Sequence, residues 1–404
     1  MTESYPMSGM MNRFPPAPDD QVTLANWRVS PFNQWGFQHV REIVPSADIA
    51  NDPDDLWRLP PVDADLSGLA IDDGQGGHIG LDTFLTATQT DAFVLVHRGR
   101  VVCERYANGM GPETPHILMS VSKSMLGLLA GILVANGVLD VDACAEYYVP
   151  ELNGGAFVGA TVRQLLDMRV GIDFDEDYLA TSGPIVQYRK ATNWNPLEPG
   201  ETATDLRGFL PTLTAATGPH GGAFNYVSPC TDLLGWIIER ASGRRYADLF
   251  SELLWTRLGA AQPAYITVDR LGAPRCAGGM CMTAMDLARV GQLLVAGGRR
   301  GARQIVPAAW IDDIATNGDP EAWLAGPFGP IFPGRSMHYR AKWYVERGAS
   351  PVLSALGIHG QHLFVDRARE IVVAKFSSQA SPLDDCAIRM TSRAVDAMRA
   401  LLAE

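Results

Sequence analysis

The chain has 404 residues, 47% of them apolar and 19% charged, with a net charge of −12. A chain of this length buries roughly three quarters of its extended surface, enough for two or three domains of an ordinary globular enzyme. The acidic balance argues against nucleic acid or an anionic membrane surface as partner, because both need basic patches.

No uninterrupted run of eighteen or more apolar residues occurs, so no transmembrane span is expected. The first eighteen residues are polar and rich in Pro and Met. They lack a basic segment followed by an apolar one, so no secretory signal is expected. The cysteines at 103, 144, 230, 276, 281 and 386 show neither metal-site nor disulfide-framework spacing. They read as free thiols, and the expected compartment is the cytoplasm.

Residues 1–60 hold eight prolines and three tryptophans with little periodicity, and read as an extended arm packed over the body. Asp63-Ala64-Asp65-Leu66-Ser67-Gly68 briefly imitates a calcium loop. The position that needs a bidentate glutamate is Gly74, so calcium is rejected. Residues 92–97 and 101–106 are β-rich runs around Arg98-Gly99-Arg100, the pattern of a hairpin.

Next comes Ser120-Val121-Ser122-Lys123-Ser124, opening a segment with no charge after Lys123 as far as Ala135. Met125, Leu126, Leu128, Leu129, Ile132 and Leu133 recur at helical spacing, and a helix apolar all round is a buried one. Asn136-Gly137 is its stop. Ser120 and Lys123, three residues apart, share a face at its start. A serine needs a base to become a nucleophile. A poorly solvated lysine has a lowered pKa and can be that base. The bland alternative is a serine N-cap followed by a lysine reaching out to solvent.

A short threonine-capped helix is expected over 161–168, then a loop-rich region over 170–225 with a helix at 205–213. A helix pair over 231–241 and 245–254 follows. Further helices are expected over 284–296 and from Pro307, with proline at the first helical position. Strands are expected over 340–346, 362–366 and 370–376. The run Ile371-Val372-Val373-Ala374-Lys375-Phe376 suits a strand covered on both faces. A final helix runs over 382–402. Strands at both ends with helices between make an α+β pattern. The expected division is an α/β subdomain from 1–150 and 281–404 and a mainly helical subdomain at 151–280.

Two further stretches carry chemistry. Tyr226-Val227-Ser228 follows a glycine-rich turn, and a nearby protonated lysine would ease the loss or relay of the Tyr226 proton. Gly357-Ile358-His359-Gly360-Gln361 offers close backbone approach to a ligand, with His359 and Gly360 as candidate contacts. A backbone N–H there, paired with that of Ser120, would suit an oxyanion hole. His359 and His362 lack a third ligand, so no metal is expected.

In this order and at these separations, the three motifs resemble those of the serine β-lactamase and penicillin-binding superfamily. Within it the chain resembles the 6-aminohexanoate-dimer (nylon-oligomer) hydrolases and the family VIII carboxylesterases. The likeness extends to Tyr148-Val149-Pro150-Glu151-Leu152, Asp175-Glu176-Asp177-Tyr178 and Asp286-Leu287-Ala288-Arg289-Val290-Gly291.

The resemblance implies a cofactor-free serine hydrolase of small esters or amides. Ser120 would be the nucleophile, Lys123 its base and Tyr226 the proton relay. The N–H groups of Ser120 and Ile358 would bind the oxyanion. Tyr178 and Trp194 would contact substrate, Trp194 from a mobile loop. The sequence departs from the pattern at Gly357-Ile358-His359, which is not Lys-Thr-Gly. It departs again at Gln187-Tyr188-Arg189-Lys190, where the nylon-dimer enzymes carry an acidic residue, and at Ala277. These changes favour a generic ester hydrolase. Two other readings stay open at this stage: a β-lactamase or D-alanyl-D-alanine peptidase, and a non-catalytic binding or sensor module. The sequence also leaves a homodimer open.

Overall fold

The computed structural model describes residues 9–403, so residues 1–8 of the expected arm lie outside the described residues. Its centre is a seven-stranded antiparallel sheet. The strands are β2 (Thr90–His97), β3 (Arg100–Tyr106), β7 (Met337–Arg340), β8 (Trp343–Glu346), β9 (Val352–Gly357), β10 (Gln361–Asp366) and β11 (Ile371–Ser377), in the order β7-β8-β9-β10-β11-β2-β3. A second, four-stranded sheet joins β1 (Ser46–Ile49), β5 (Ala264–Thr267), β6 (Met280–Met282) and β4 (His116–Ile117) in that order. The fold is thus α+β.

Alternation places the two faces of the large sheet against different layers. Phe93, Leu95, Ile371 and Val373 share a core cluster with Ala394, Val395 and Met398 of the C-terminal helix Asp385–Leu401. Val94, Val96, Val372 and Ala374 join the main core with Leu287, Val290 and Leu294 of the helix Ala284–Val295. The strand read as covered on both faces is so covered, which is why it needs no polar alternation. The β2–β3 turn has Arg98 at φ 50° and Gly99 at φ 72°. Positive φ at both central residues matches the twist of a hairpin.

The sequence reading departs from the structure where turn chemistry was silent. The segment 340–346 is two strands rather than one, broken at Ala341 (φ 46°) and Lys342 (φ 71°). No Gly or Asn marks that turn. It is instead pinned from outside: the Ala341 N–H donates to Asp167 at 2.8 Å, and Lys342 Nζ donates to the Leu165 carbonyl at 2.6 Å. The strand Val352–Gly357 was not expected, and Pro307 stands at the N-cap of its helix rather than inside it.

The arm is more than a cover. It supplies strand Ser46–Ile49 and places Trp27, Phe37, Val40 and Val44 in a core cluster with Met119 and Trp194. Strand Ala264–Thr267, from the expected helical subdomain, pairs with Ser46–Ile49, and one core cluster runs through both expected subdomains. Among the described residues, no helix is long and apolar enough to cross a membrane.

The apolar helix reading is matched by a helix Val121–Ala135, labelled α1 here, whose residues 121–133 are all buried. Its small residues are contact points. A Cβ on Gly127 would lie 2.1 Å from the Ala341 carbonyl oxygen, and Trp310 lies across Gly131 and donates its Nε1–H to the Gly127 carbonyl at 3.0 Å. Gly127→Val is therefore expected to destabilise the fold by about 2 kcal/mol or more, read as a lowered urea midpoint. An unchanged midpoint would show that the helix can step away from the 341–342 turn.

Candidate active site

Ser120 sits where β4 meets α1. The Leu118 N–H donates to the Met280 carbonyl at 2.8 Å, tying this approach to β6. Met119 then takes φ 46°, a left-handed conformation that a side chain adopts only when its surroundings impose it. Its side chain is buried in the cluster of Trp27 and Trp194. The result turns Ser120 into the N-cap position of α1 with its side chain unused for capping. The bland reading therefore fails on both residues: the hydroxyl does not cap, and Lys123 is 1% exposed rather than reaching solvent.

Lys123 Nζ donates to Ser120 Oγ at 2.8 Å and to the Ala277 carbonyl at 2.7 Å. Burial lowers its pKa from 10.5 to about 7, with Arg275 and Lys342 adding to the fall and Glu176 and Asp232 opposing it. A neutral amine thus lies beside the hydroxyl near neutral pH. Its carbonyl partner is fixed in turn, because the Ala277 N–H donates to Asp232 Oδ1 at 2.8 Å. Asp232 also accepts from Tyr188 and Arg275. Gly279 lets this strand close in: a Cβ there would lie 2.1 Å from Thr267 Oγ1.

Tyr226 precedes the helix Pro229–Ser242, and its hydroxyl faces those of Ser120 and Tyr344. The rings of Phe328 and Tyr344 stack on it at 5.3 and 6.4 Å. That aromatic box pushes the phenol well above its ordinary range. Lys123 Nζ lies over the Tyr226 ring, 4.9 Å from its centroid. The expected easing of Tyr226 by a lysine cation is therefore corrected: burial dominates, and the side chain stays a neutral hydroxyl.

Gly357, at the end of β9, lies against the backbone of Leu118 and Ser120. A Cβ there would be 2.7 Å from the Leu118 oxygen and 3.0 Å from the Ser120 nitrogen. Ile358 follows directly and lines the same cleft as Ser120. Among the described residues, no turn or loop backbone hydrogen bond uses the N–H of Ser120 or of Ile358.

The cleft above Ser120 is open to solvent, and its walls include Tyr178, Trp194, Arg28, Glu176, Arg189 and Arg275. Two expected ligand contacts are not among the residues that line it. His359, at φ 60°, is buried against Phe37 with Nδ1 2.7 Å from the Gln379 carbonyl, and Gly360 packs on the Gln379 side chain. They brace the turn that presents Ile358, because the left-handed backbone there points their atoms into the core. Trp194 does line the cleft; it is 4% exposed and donates to Thr267 Oγ1 at 3.1 Å.

Sequence reasoning gave no role to Glu176, Asp232, Arg275 or Arg28. Glu176 accepts from the Ser228 N–H and, at 3.1 Å, from the Ser228 hydroxyl, and lies beside Tyr178. Its signal was its place two residues before Tyr178. The others come from distant segments, and no local spacing marks them.

This constellation and fold define a serine hydrolase of the Beta-lactamase family, to which the chain belongs: the family matches residues 82–396. The chain is 34% identical over 393 residues to a 6-aminohexanoate-dimer hydrolase from Paenarthrobacter ureafaciens, covering 96% of this chain and 97% of that one. Among solved structures, it resembles a Bacillus anthracis chain provisionally assigned as a 6-aminohexanoate-dimer hydrolase, at 29% identity and a TM-score of 0.86, covering 96% and 98% of the two chains. A family VIII carboxylesterase shares the fold at 16% identity and a TM-score of 0.57, over 78% of this chain and 96% of that one.

Gly357→Ala drives a methyl group against the Ser120 amide. A displacement of that order costs about 10²-fold in rate. The expected outcome is such a loss in hydrolysis of a 4-nitrophenyl ester with an unchanged circular dichroism spectrum, and full activity would contradict the tight approach.

Proposed function

We propose that the chain hydrolyses small carboxylic esters through an acyl-enzyme on Ser120, with short linear amides of the 6-aminohexanoate-oligomer kind as slower substrates. The observation that carries this reading is the 2.8 Å contact between Lys123 Nζ and Ser120 Oγ, made by an amine whose pKa burial lowers to about 7. Neutral Lys123 takes the Ser120 proton as Oγ attacks the carbonyl carbon. The carbonyl oxygen gains the electron pair and is held by the N–H groups of Ser120 and Ile358. As the tetrahedral species collapses, the C–O or C–N bond breaks. The leaving group receives a proton from Lys123 through the Tyr226 hydroxyl, which gives one proton and takes another. Water then attacks the acyl-enzyme, with Lys123 again accepting the proton, and Ser120 is restored.

The nylon-oligomer assignment of the relatives supports the amide activity. The basic Arg189 in the cleft wall, where an acidic residue would suit an ammonium end, supports the preference for esters.

Brief exposure to a fluorophosphonate should add one phosphonyl group at Ser120, located by peptide mass. Ser120→Ala should lose the adduct and at least about 10³-fold in kcat for 4-nitrophenyl butyrate. Catalysis that survives Ser120→Ala without an adduct would remove the proposal.

A further inference from the structure

Arg28 is the one wall of the cleft contributed by the N-terminal arm. Its guanidinium lies 5.5 Å from the ring centroid of Trp27 and 5.6 Å from that of Trp194. The two indoles meet edge to face at 5.3 Å, and Trp27 Nε1–H donates to the Trp194 carbonyl at 3.3 Å. One terminal nitrogen of Arg28 donates to Asn195 Oδ1 and lies 3.5 Å from the Trp194 carbonyl. The group is held firmly, yet by neutral partners alone.

The other charges of the cleft are committed. Arg275 is paired with Asp232. Arg189 donates to the carbonyls of Asp177, Tyr178 and Ala180 at 3.2, 2.8 and 3.1 Å. Glu176 is engaged by Ser228 and Tyr178 and faces Lys123. For Arg28, as for Arg189, no carboxylate lies within ion-pair distance among the described residues, but Arg28 has only the Asn195 and Trp194 oxygens as partners, and its Nε, like that of Arg275, has none. Burial and the neighbouring Arg189 and Arg275 lower its pKa to about 9. Arg28 is half-buried, and a partly desolvated cation without a counter-charge is costly. Because the side chain lines the cleft, an anion bound there by charge-assisted hydrogen bonds recovers that cost.

We propose that Arg28 anchors a carboxylate on the substrate, so that the preferred substrates are linear esters or amides carrying a free carboxylate a few bonds from the scissile carbonyl. This rests on the acyl-enzyme reading of Ser120 and adds a substrate class to it. Arg28 binds the anionic end, Trp27 and Trp194 hold the guanidinium plane, and Ser120 meets the carbonyl within the same cleft. An ammonium end is repelled by the same three arginines.

The test compares methyl hydrogen adipate, methyl hexanoate and methyl 6-aminohexanoate at fixed ionic strength. A charge-assisted hydrogen bond predicts about a tenfold or greater advantage in kcat/KM for the half-ester, expressed in KM and reduced by salt. Arg28→Gln should bring the ratio of half-ester to hexanoate ester towards one, and Arg28→Lys should restore part of it. Should Arg28→Gln not fold, adipate is tested as an inhibitor of wild-type turnover of methyl hexanoate. Competitive inhibition is expected, and none would overturn the proposal. A ratio unchanged by Arg28→Gln, or a preference for the neutral or ammonium ester, would also overturn it. Failure of all ester turnover strikes the acyl-enzyme reading instead. In that case adipate binding to Ser120→Ala protein by calorimetry still reads the Arg28 site.

Discussion

The structure depends on one desolvated contact, that between Lys123 and Ser120. In water a lysine is a cation and no base for a hydroxyl. Buried within the first turn of an apolar helix, it loses the hydration that favours the charged form, and its pKa falls to about 7. Everything that buries Lys123 therefore sets its charge state. The helix runs without charge from Ser124 to Ala135, Gly127 and Gly131 allow neighbours onto its backbone, and the aromatic box of Tyr226, Phe328 and Tyr344 closes the other side. Charges near it are tuned rather than absent. Glu176 and Asp232 hold the fall back while Arg275 deepens it.

The position of Ser120 is set from outside the helix. Strand pairing of His116–Ile117 with Met280–Met282 delivers the chain to Met119, whose left-handed backbone turns Ser120 towards the cleft. Gly357, at the end of an inner strand of the large sheet, then fits against the Ser120 amide. Thus both sheets position Ser120, and they also meet where His116 stacks on Phe376. The arm completes the arrangement, since Trp27 backs Trp194 and Arg28 reaches the cleft wall.

Much of this was legible from local pattern. The α+β class, the buried helix, the hairpin at Arg98-Gly99 and the doubly covered strand each follow from periodicity that tertiary packing reinforces. Ser120 and Lys123 are readable together because three-residue spacing puts them on one face. What escaped depends on contacts between distant segments. The Ala341-Lys342 turn lacks turn residues and is imposed by Asp167 and Leu165. His359 looked like a ligand contact because it stands among glycines, but its positive φ directs it into the core. Arg28 and Asp232 lie far from Ser120 in sequence and carry no motif, so only the folded chain brings them to it.

The chain has four lysines, at 123, 190, 342 and 375, so their side-chain titrations can be resolved by carbon-13 NMR of protein labelled at lysine Cε. The Lys123 resonance, assigned by its loss in Lys123→Met, is the most direct measure of the central contact. Lys342 and Lys375, also lowered by burial to about 8 and about 7, are assigned in the same way. The account predicts that Lys123 releases its proton near pH 7, so that it is neutral through the alkaline range. A Lys123 that stays charged up to its ordinary value of 10.5 would contradict it.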